Sequence, residues 1–130
     1  MADHIIAPPI SDAATNQGMF RKPADIAAAG DPFLIVGVET GHAGRFGTEV
    51  VYAILIKDEG PARVSFSQTP RREKHARDVA ERLRGSVAVG PFRLTPHEFE
   101  GRAGDLVTTY VFTAHDDAGP VVLADYQLEA

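Results

Sequence analysis

The sequence predicts a mainly β fold: a five-stranded barrel with one α-helix between strands 3 and 4. Three observations point to it. Runs rich in β-branched and aromatic residues recur through the middle of the chain. Glycine, proline and aspartate punctuate those runs. One stretch, residues 69–85, keeps a helical period with start and stop signals at its ends.

Residues 1–30 read as an N-terminal extension. Pro8-Pro9 and the stretch from Ser11 to Gly18 have turn and coil composition, and residues 23–30 fit a short helical turn with Pro23 at its start and Gly30 at its stop. Asp31-Pro32 marks the entry into extended chain. Strand 1, residues 33–39, is almost continuously apolar, with Gly37 inside it as the mark of a bend or bulge. Residues 41–47 are a glycine-punctuated connection. Strand 2 covers residues 48–57 and is rich in β-branched side chains. Residues 58–61 turn the chain into strand 3, residues 63–68. There Val64 and Phe66 alternate with Arg63, Ser65 and Ser67, the period of a half-buried strand.

The helix follows. Thr69 suits the N-cap and Pro70 the first helical position, where the N–H that proline lacks would have no partner anyway. Ala76, Val79, Ala80 and Leu83 fall on one narrow apolar stripe. Glu73 with Arg77, and Asp78 with Arg82, are favourable pairs four residues apart, and Gly85 closes the helix. Strand 4, residues 86–94, is interrupted at Gly90-Pro91, which suits an edge or a bulge. Residues 100–105 form a polar loop and residues 106–113 strand 5. Residues 116–119 turn, and residues 121–123 add a short sixth strand. Residues 31–123 thus form the barrel domain and 124–130 a short acidic tail.

One helix between the third and fourth of five strands is the order of the OB-fold, a partly open five-stranded Greek-key barrel. An α+β sheet with the helix on one face shares the same one-dimensional pattern. A barrel also disposes of edge strands, which a chain of 130 residues must manage.

Composition bounds the function. The hydrophobic fraction of 44% and charged fraction of 24% are those of a globular protein. No apolar stretch approaches a membrane span, and no basic start precedes an apolar run, so a cytoplasmic protein without a membrane partner is expected. The absence of cysteine excludes disulfides, thiolate metal sites and cysteine nucleophiles. The net charge of −5 argues against indiscriminate binding to duplex DNA. Yet residues 41–84 carry nine basic and six acidic side chains, a net of +3, between two acidic flanks. A local basic surface binds phosphate even on an acidic chain.

Three stretches carry a resemblance. They are Gly44-Arg45-Phe46-Gly47 leading into Glu49-Val50-Val51-Tyr52-Ala53-Ile54, the third strand running into Thr69-Pro70-Arg71-Arg72, and Val89-Gly90-Pro91-Phe92-Arg93-Leu94. With them, residues 33–113 resemble the OB-fold single-stranded DNA-binding proteins, particularly the diverged forms of phages and mobile elements. The resemblance implies sequence-tolerant binding of single-stranded DNA in replication or recombination, with barrels acting as homo-oligomers. The chain departs from the bacterial housekeeping members at its C-terminus. Their long disordered tail with an acidic, aromatic tip has only a faint echo in Asp125-Tyr126-Gln127-Leu128-Glu129-Ala130.

Single-strand binders combine a cationic groove with aromatic platforms for the bases. The aromatic candidates are Phe46, Tyr52, Phe66, Tyr110 and Phe112. Tyr110 and Phe112 share one face of strand 5, and Val107, Thr109, Val111 and Thr113 share the other. If the valines are inside, the aromatic pair is a platform; if the aromatics are inside, they fill the barrel. The basic candidates are Arg45, Lys57, Arg63, Arg71, Arg72 and Lys74. Arg71 and Arg72 stand in the first helical turn, where the helix dipole disfavours a cation, which suggests phosphate contact as readily as a solvated face. The histidines at 4, 42, 75, 97 and 115 show no metal-ligand spacing, and residues 41–47 lack the lysine and hydroxyl of a phosphate loop. No catalytic constellation, cofactor motif or metal site is expected. The competing reading is a protein–protein or phage-assembly module on the same barrel, since barrels of this type host unrelated functions.

Overall fold

The computed structural model describes residues 19–44, 47–101, 103–115 and 121–126. In chain order these form β1 (Met19–Phe20), α1 (Pro23–Ala29), β2 (Phe33–Gly44), β3 (Gly47–Ile56), β4 (Gly60–Ser67), α2 (Pro70–Leu83), β5 (Val89–Glu100) and β6 (Leu106–Ala114), with a 3-10 turn at Leu123–Tyr126. The strands build one sheet in the order β1-β4-β3-β2-β5-β6. All neighbours are antiparallel except β1 and β4. The chain returns through α2 to lay β5 beside β2, so β5-β2-β3-β4 is a Greek key.

The apolar run at the start of β2 has no polar side to offer water, and the sheet buries both of its faces there. Phe33 and Ile35 point into the main core with Val50, Tyr52, Ile54, Val64, Val79 and Leu83. Leu34 and Val36 point the other way, into a smaller cluster with Ala53, Leu55 and Tyr126. Between Ile35 and Gly37 the β2–β3 register slips, and the extra residue on β2 resets the alternation so that Val38 rejoins the main core. Gly37 thus marks the bulge that the sequence suggested. Burying each such large side chain contributes roughly 1.5–3 kcal/mol. That is a sizeable share of the about 5–15 kcal/mol by which a domain is stable.

The sheet curls into a half-barrel. β4 and β6 are not neighbours in it, yet Phe66 and Phe112 meet across its interior with ring centroids 5.8 Å apart. α2 packs its predicted stripe, Ala76, Val79, Ala80 and Leu83, onto the core. Thr69 caps it as expected, its hydroxyl accepting from the Arg72 N–H at 3.1 Å.

Several expectations need correction. Among the described residues the sheet has six strands rather than five, because Met19–Phe20 adds a parallel edge to β4 through Ala62 and Arg63. Two residues are too short to show a period. The two ends of the sheet are β1 and β6, and among the described residues they do not pair, so the sheet does not close there. α1 brings Ile26 into the main core. The expected strand at 121–123 is not formed: Val121 and Val122 are exposed and lead into the 3-10 turn. β2 and β3 run on through the glycine-punctuated connection as a longer hairpin, with Gly44 opposite Gly47. β5 does not stop at Leu94 but continues to Glu100 along β6. Pro96 is tolerated because, among the described residues, β5 beyond Phe92 pairs with β6 alone, leaving an open edge for a nitrogen without a proton. In α2 the Glu73–Arg77 pair forms, but Asp78 meets Lys74 at 3.4 Å instead of Arg82. Arg82 lies 6.0 Å from the centroid of the Phe92 ring. The helix ends at Leu83, capped by Arg84 rather than Gly85.

Candidate nucleic-acid interface

The N-cap at Thr69 and the proline at Pro70 set where α2 begins, and this fixes the directions of the next two side chains. Arg71 is exposed. Arg72 turns inward. Its guanidinium carbon lies 4.0 Å over the Phe66 ring, and its Nη2 donates to the Tyr110 carbonyl at 2.9 Å. One turn on, His75 stacks on Phe112, with centroids 5.1 Å apart and planes 9° from parallel. The His75 Nδ1 and the Tyr52 hydroxyl share a hydrogen bond of 2.7 Å. Burial holds His75 below its ordinary range, and the Arg72 cation pushes the same way. Burial pushes the Tyr52 phenol up to about 12.

Against this helix start stands the extended β5–β6 hairpin. Between them lies an open groove of about 750 Å³, lined by Thr69, Pro70, Arg71, Arg72 and His75 on one side and by His97, Phe99, Thr109, Val111 and Phe112 on the other. Register explains the hairpin wall apart from Phe112, which reaches the groove from the core side. Arg93, Thr95, His97 and Phe99 lie opposite Thr113, Val111, Thr109 and Val107, so these eight share one face. Glu98 and Glu100 project from the reverse face. His97 therefore points away from Glu98 and Glu100, and among the described residues no three metal-ligand side chains converge. His97 and Phe99 are both exposed, with ring centroids 6.5 Å apart and planes 22° from parallel.

The groove gathers Arg71, Arg72 and Phe112 from the expected binding residues. Arg45 and Phe46 lie outside the described residues. Tyr52 is 0% exposed and is core, so it offers no platform. Phe66 is half-buried beneath Arg72. Lys57 stands at the β3–β4 turn, its backbone N–H on the Pro32 carbonyl at 3.0 Å. Arg63 is on β4 with its guanidinium 4.3 Å from the Phe20 ring centroid. Neither Lys57 nor Arg63 lines the groove. On β6 the face question is settled: Tyr110 and Phe112 pack against the main core, and Val107 and Val111 face outward. Phe112 meets Phe33, Tyr52, Phe66, His75 and Phe92, which makes it barrel filling rather than a platform.

His97 and Phe99 are not among the expected binding residues, because Pro96 disguises the strand that carries them. Their signal was the alternation Thr95, His97, Phe99, answered across the loop by Val107, Thr109, Val111. No family model, curated protein or solved structure matches the chain.

Proposed function

We propose that the chain binds single-stranded DNA in the groove between the first turn of α2 and the β5–β6 hairpin, on a half-barrel of OB type. The Greek-key order and the helix between β4 and β5 support the fold assignment. The observation that carries the function is the pairing of chemistries across the groove. Exposed, near-parallel rings of His97 and Phe99 stand on one wall, and the exposed guanidinium of Arg71 stands on the other. Stacking rings beside a cation are what a sequence-tolerant single-strand site requires. Arg93 adds a second exposed cation to the hairpin face, and the carboxylates of Glu98 and Glu100 are turned to its reverse. The volume lies within the roughly 300–1,000 Å³ of small-ligand sites.

Protein contact through the same hairpin is the second reading, favoured by exposed Phe99, Leu106, Val107 and Val111. Titration of labelled oligo-dT across a salt series, with duplex DNA alongside, separates the two. Affinity for the single strand should fall linearly in log salt, and Arg71→Ala should reduce the slope by about 0.7. No binding at low salt overturns the proposal.

A further inference from the structure

We infer that His97 and Phe99 form a slot that takes one nucleobase between their rings. The spacing follows from the strand. Side chains two residues apart on β5 share a face, and two strand rises amount to about 6.8 Å. Bases in a nucleic acid stack at about 3.4 Å, so a flat ring with stacking partners above and below needs that same separation. The observed centroid distance of 6.5 Å is close to this separation, and the planes lie 22° from parallel.

Two further features make the pair a site. Both side chains are exposed, Phe99 at 45%, so the rings stand in solvent instead of being packed under other residues. Both line the groove that contains Arg71, which places a cation on the same cavity for the phosphate of the inserted nucleotide. Thr109, directly opposite His97 across the hairpin, adds a hydroxyl beside the slot. A base from a single strand, or the base of a free nucleotide, satisfies the same geometry. The polynucleotide form of the inference rests on the function proposed above.

The test uses the full chain and two probes: oligo-dT carrying one 2-aminopurine, and free AMP. Insertion should quench the 2-aminopurine emission on binding. Phe99→Ala and His97→Ala should each weaken oligonucleotide affinity by about 5- to 150-fold and restore the emission. Phe99→Trp should keep both affinity and quenching, whereas Phe99→Leu, which keeps apolar area but no aromatic face, should lose them. Both positions are exposed, so the variants should keep the far-ultraviolet dichroism of the parent. If Phe99→Ala and His97→Ala bind like the parent while Arg71→Ala is weakened, the slot is wrong and the groove reading stands. If the parent ignores oligo-dT but binds AMP in a manner that Phe99→Ala abolishes, the slot stands for free nucleotides and the single-strand reading falls. Binding of neither probe overturns both.

Discussion

Arg72 donates from its Nη2 to the backbone carbonyl of Tyr110 at 2.9 Å, joining the first turn of α2 to the outermost strand of the sheet. Tyr110 lies opposite Pro96, which has no N–H to offer, so the backbone groups of Tyr110 face the open edge of β6. Arg72 satisfies the carbonyl there. Its guanidinium also covers Phe66 at 4.0 Å, so one side chain holds β4 and β6 together where the half-barrel lacks a strand pairing. The helix dipole disfavours a cation at this position. The bond and the ring contact offset that cost, so Arg72 serves the fold before it serves any ligand.

Arg72→Ala should therefore lower stability by about 1–3 kcal/mol, combining a charge-assisted hydrogen bond and a partly desolvated cation–π contact. Arg72→Lys should recover little, because an ammonium cannot lie flat on Phe66 while reaching the Tyr110 carbonyl. Arg71→Ala, one residue away and exposed, should change stability by less than about 0.5 kcal/mol. Urea denaturation of the three variants measures all three quantities.

The His75–Tyr52 pair makes stability depend on pH in the acid range. Burial and the Arg72 cation hold the folded His75 below the ordinary histidine value of 6.5. Below that value the unfolded chain binds more protons at this position than the folded one, so stability rises with pH through this window. The contribution of His75 is present above 6.5 and is lost as the pH falls through the folded value. The urea midpoint should drop from pH 7.5 to pH 5, and the drop should be smaller in His75→Gln. Tyr52→Phe removes the hydroxyl that His75 meets at 2.7 Å, and should cost about 1 kcal/mol at pH 7.5.

What was legible in the sequence is what short-range periodicity encodes. The stripe Ala76, Val79, Ala80, Leu83 and the cap at Thr69 placed α2 to within a residue or two. Long β-branched runs placed β3 and β6, and Gly37 marked a bulge that is present. Three features were hidden for physical reasons. Pro96 signals a break only where its nitrogen faces a neighbour, and tertiary pairing alone shows that it faces an open edge. The face of β6 depends on curvature, which brings Phe112 to Phe66 from strands far apart in the sheet. Tyr126 is buried by contact with Leu34, Val36, Ala53 and Leu55, all far earlier in the chain, with no local signal. In the candidate groove, Arg71 and Arg72 were legible as cations at a helix start, but that Arg72 turns inward onto Phe66 and Tyr110 while Arg71 stays exposed was not.

Gly90 should not tolerate a side chain. It lies in the β5 bulge, where Leu34 of β2 stands against both Gly90 and Pro91 of β5, and its φ is +142°. An added Cβ would stand 3.0 Å from the Phe33 carbonyl oxygen and 3.1 Å from Leu34 Cδ2. Both neighbours belong to the buried start of β2 and cannot withdraw freely. Gly90→Ala should cost at least about 1–3 kcal/mol from the backbone conformation alone. Gly85→Ala, with nothing within 4 Å and no left-handed backbone, is the control and should be neutral or slightly stabilising. Thermal denaturation of the two variants checks the contrast.

The C-terminal 3-10 turn should prove structural. Tyr126 is 2% exposed and fills the outer face of the sheet with Leu34, Val36, Ala53 and Leu55. The Asp58 N–H donates to the Asp125 carbonyl at 2.8 Å, tying the turn to the β3–β4 connection. Without Tyr126 the outer cluster would open to water, and removing a buried aromatic costs about 3–5 kcal/mol. Tyr126→Ala and a chain ending at residue 120 should both unfold at markedly lower urea, by similar amounts if the turn acts mainly through this ring. Tyr126→Phe should stay within about 1 kcal/mol of the parent, because packing rather than the hydroxyl holds the turn. If the shortened chain is as stable as the parent, the outer face of β2 and β3 does not depend on this cover. The groove lies on other elements, so in any variant that remains folded, oligo-dT affinity should be unchanged while the urea midpoint falls.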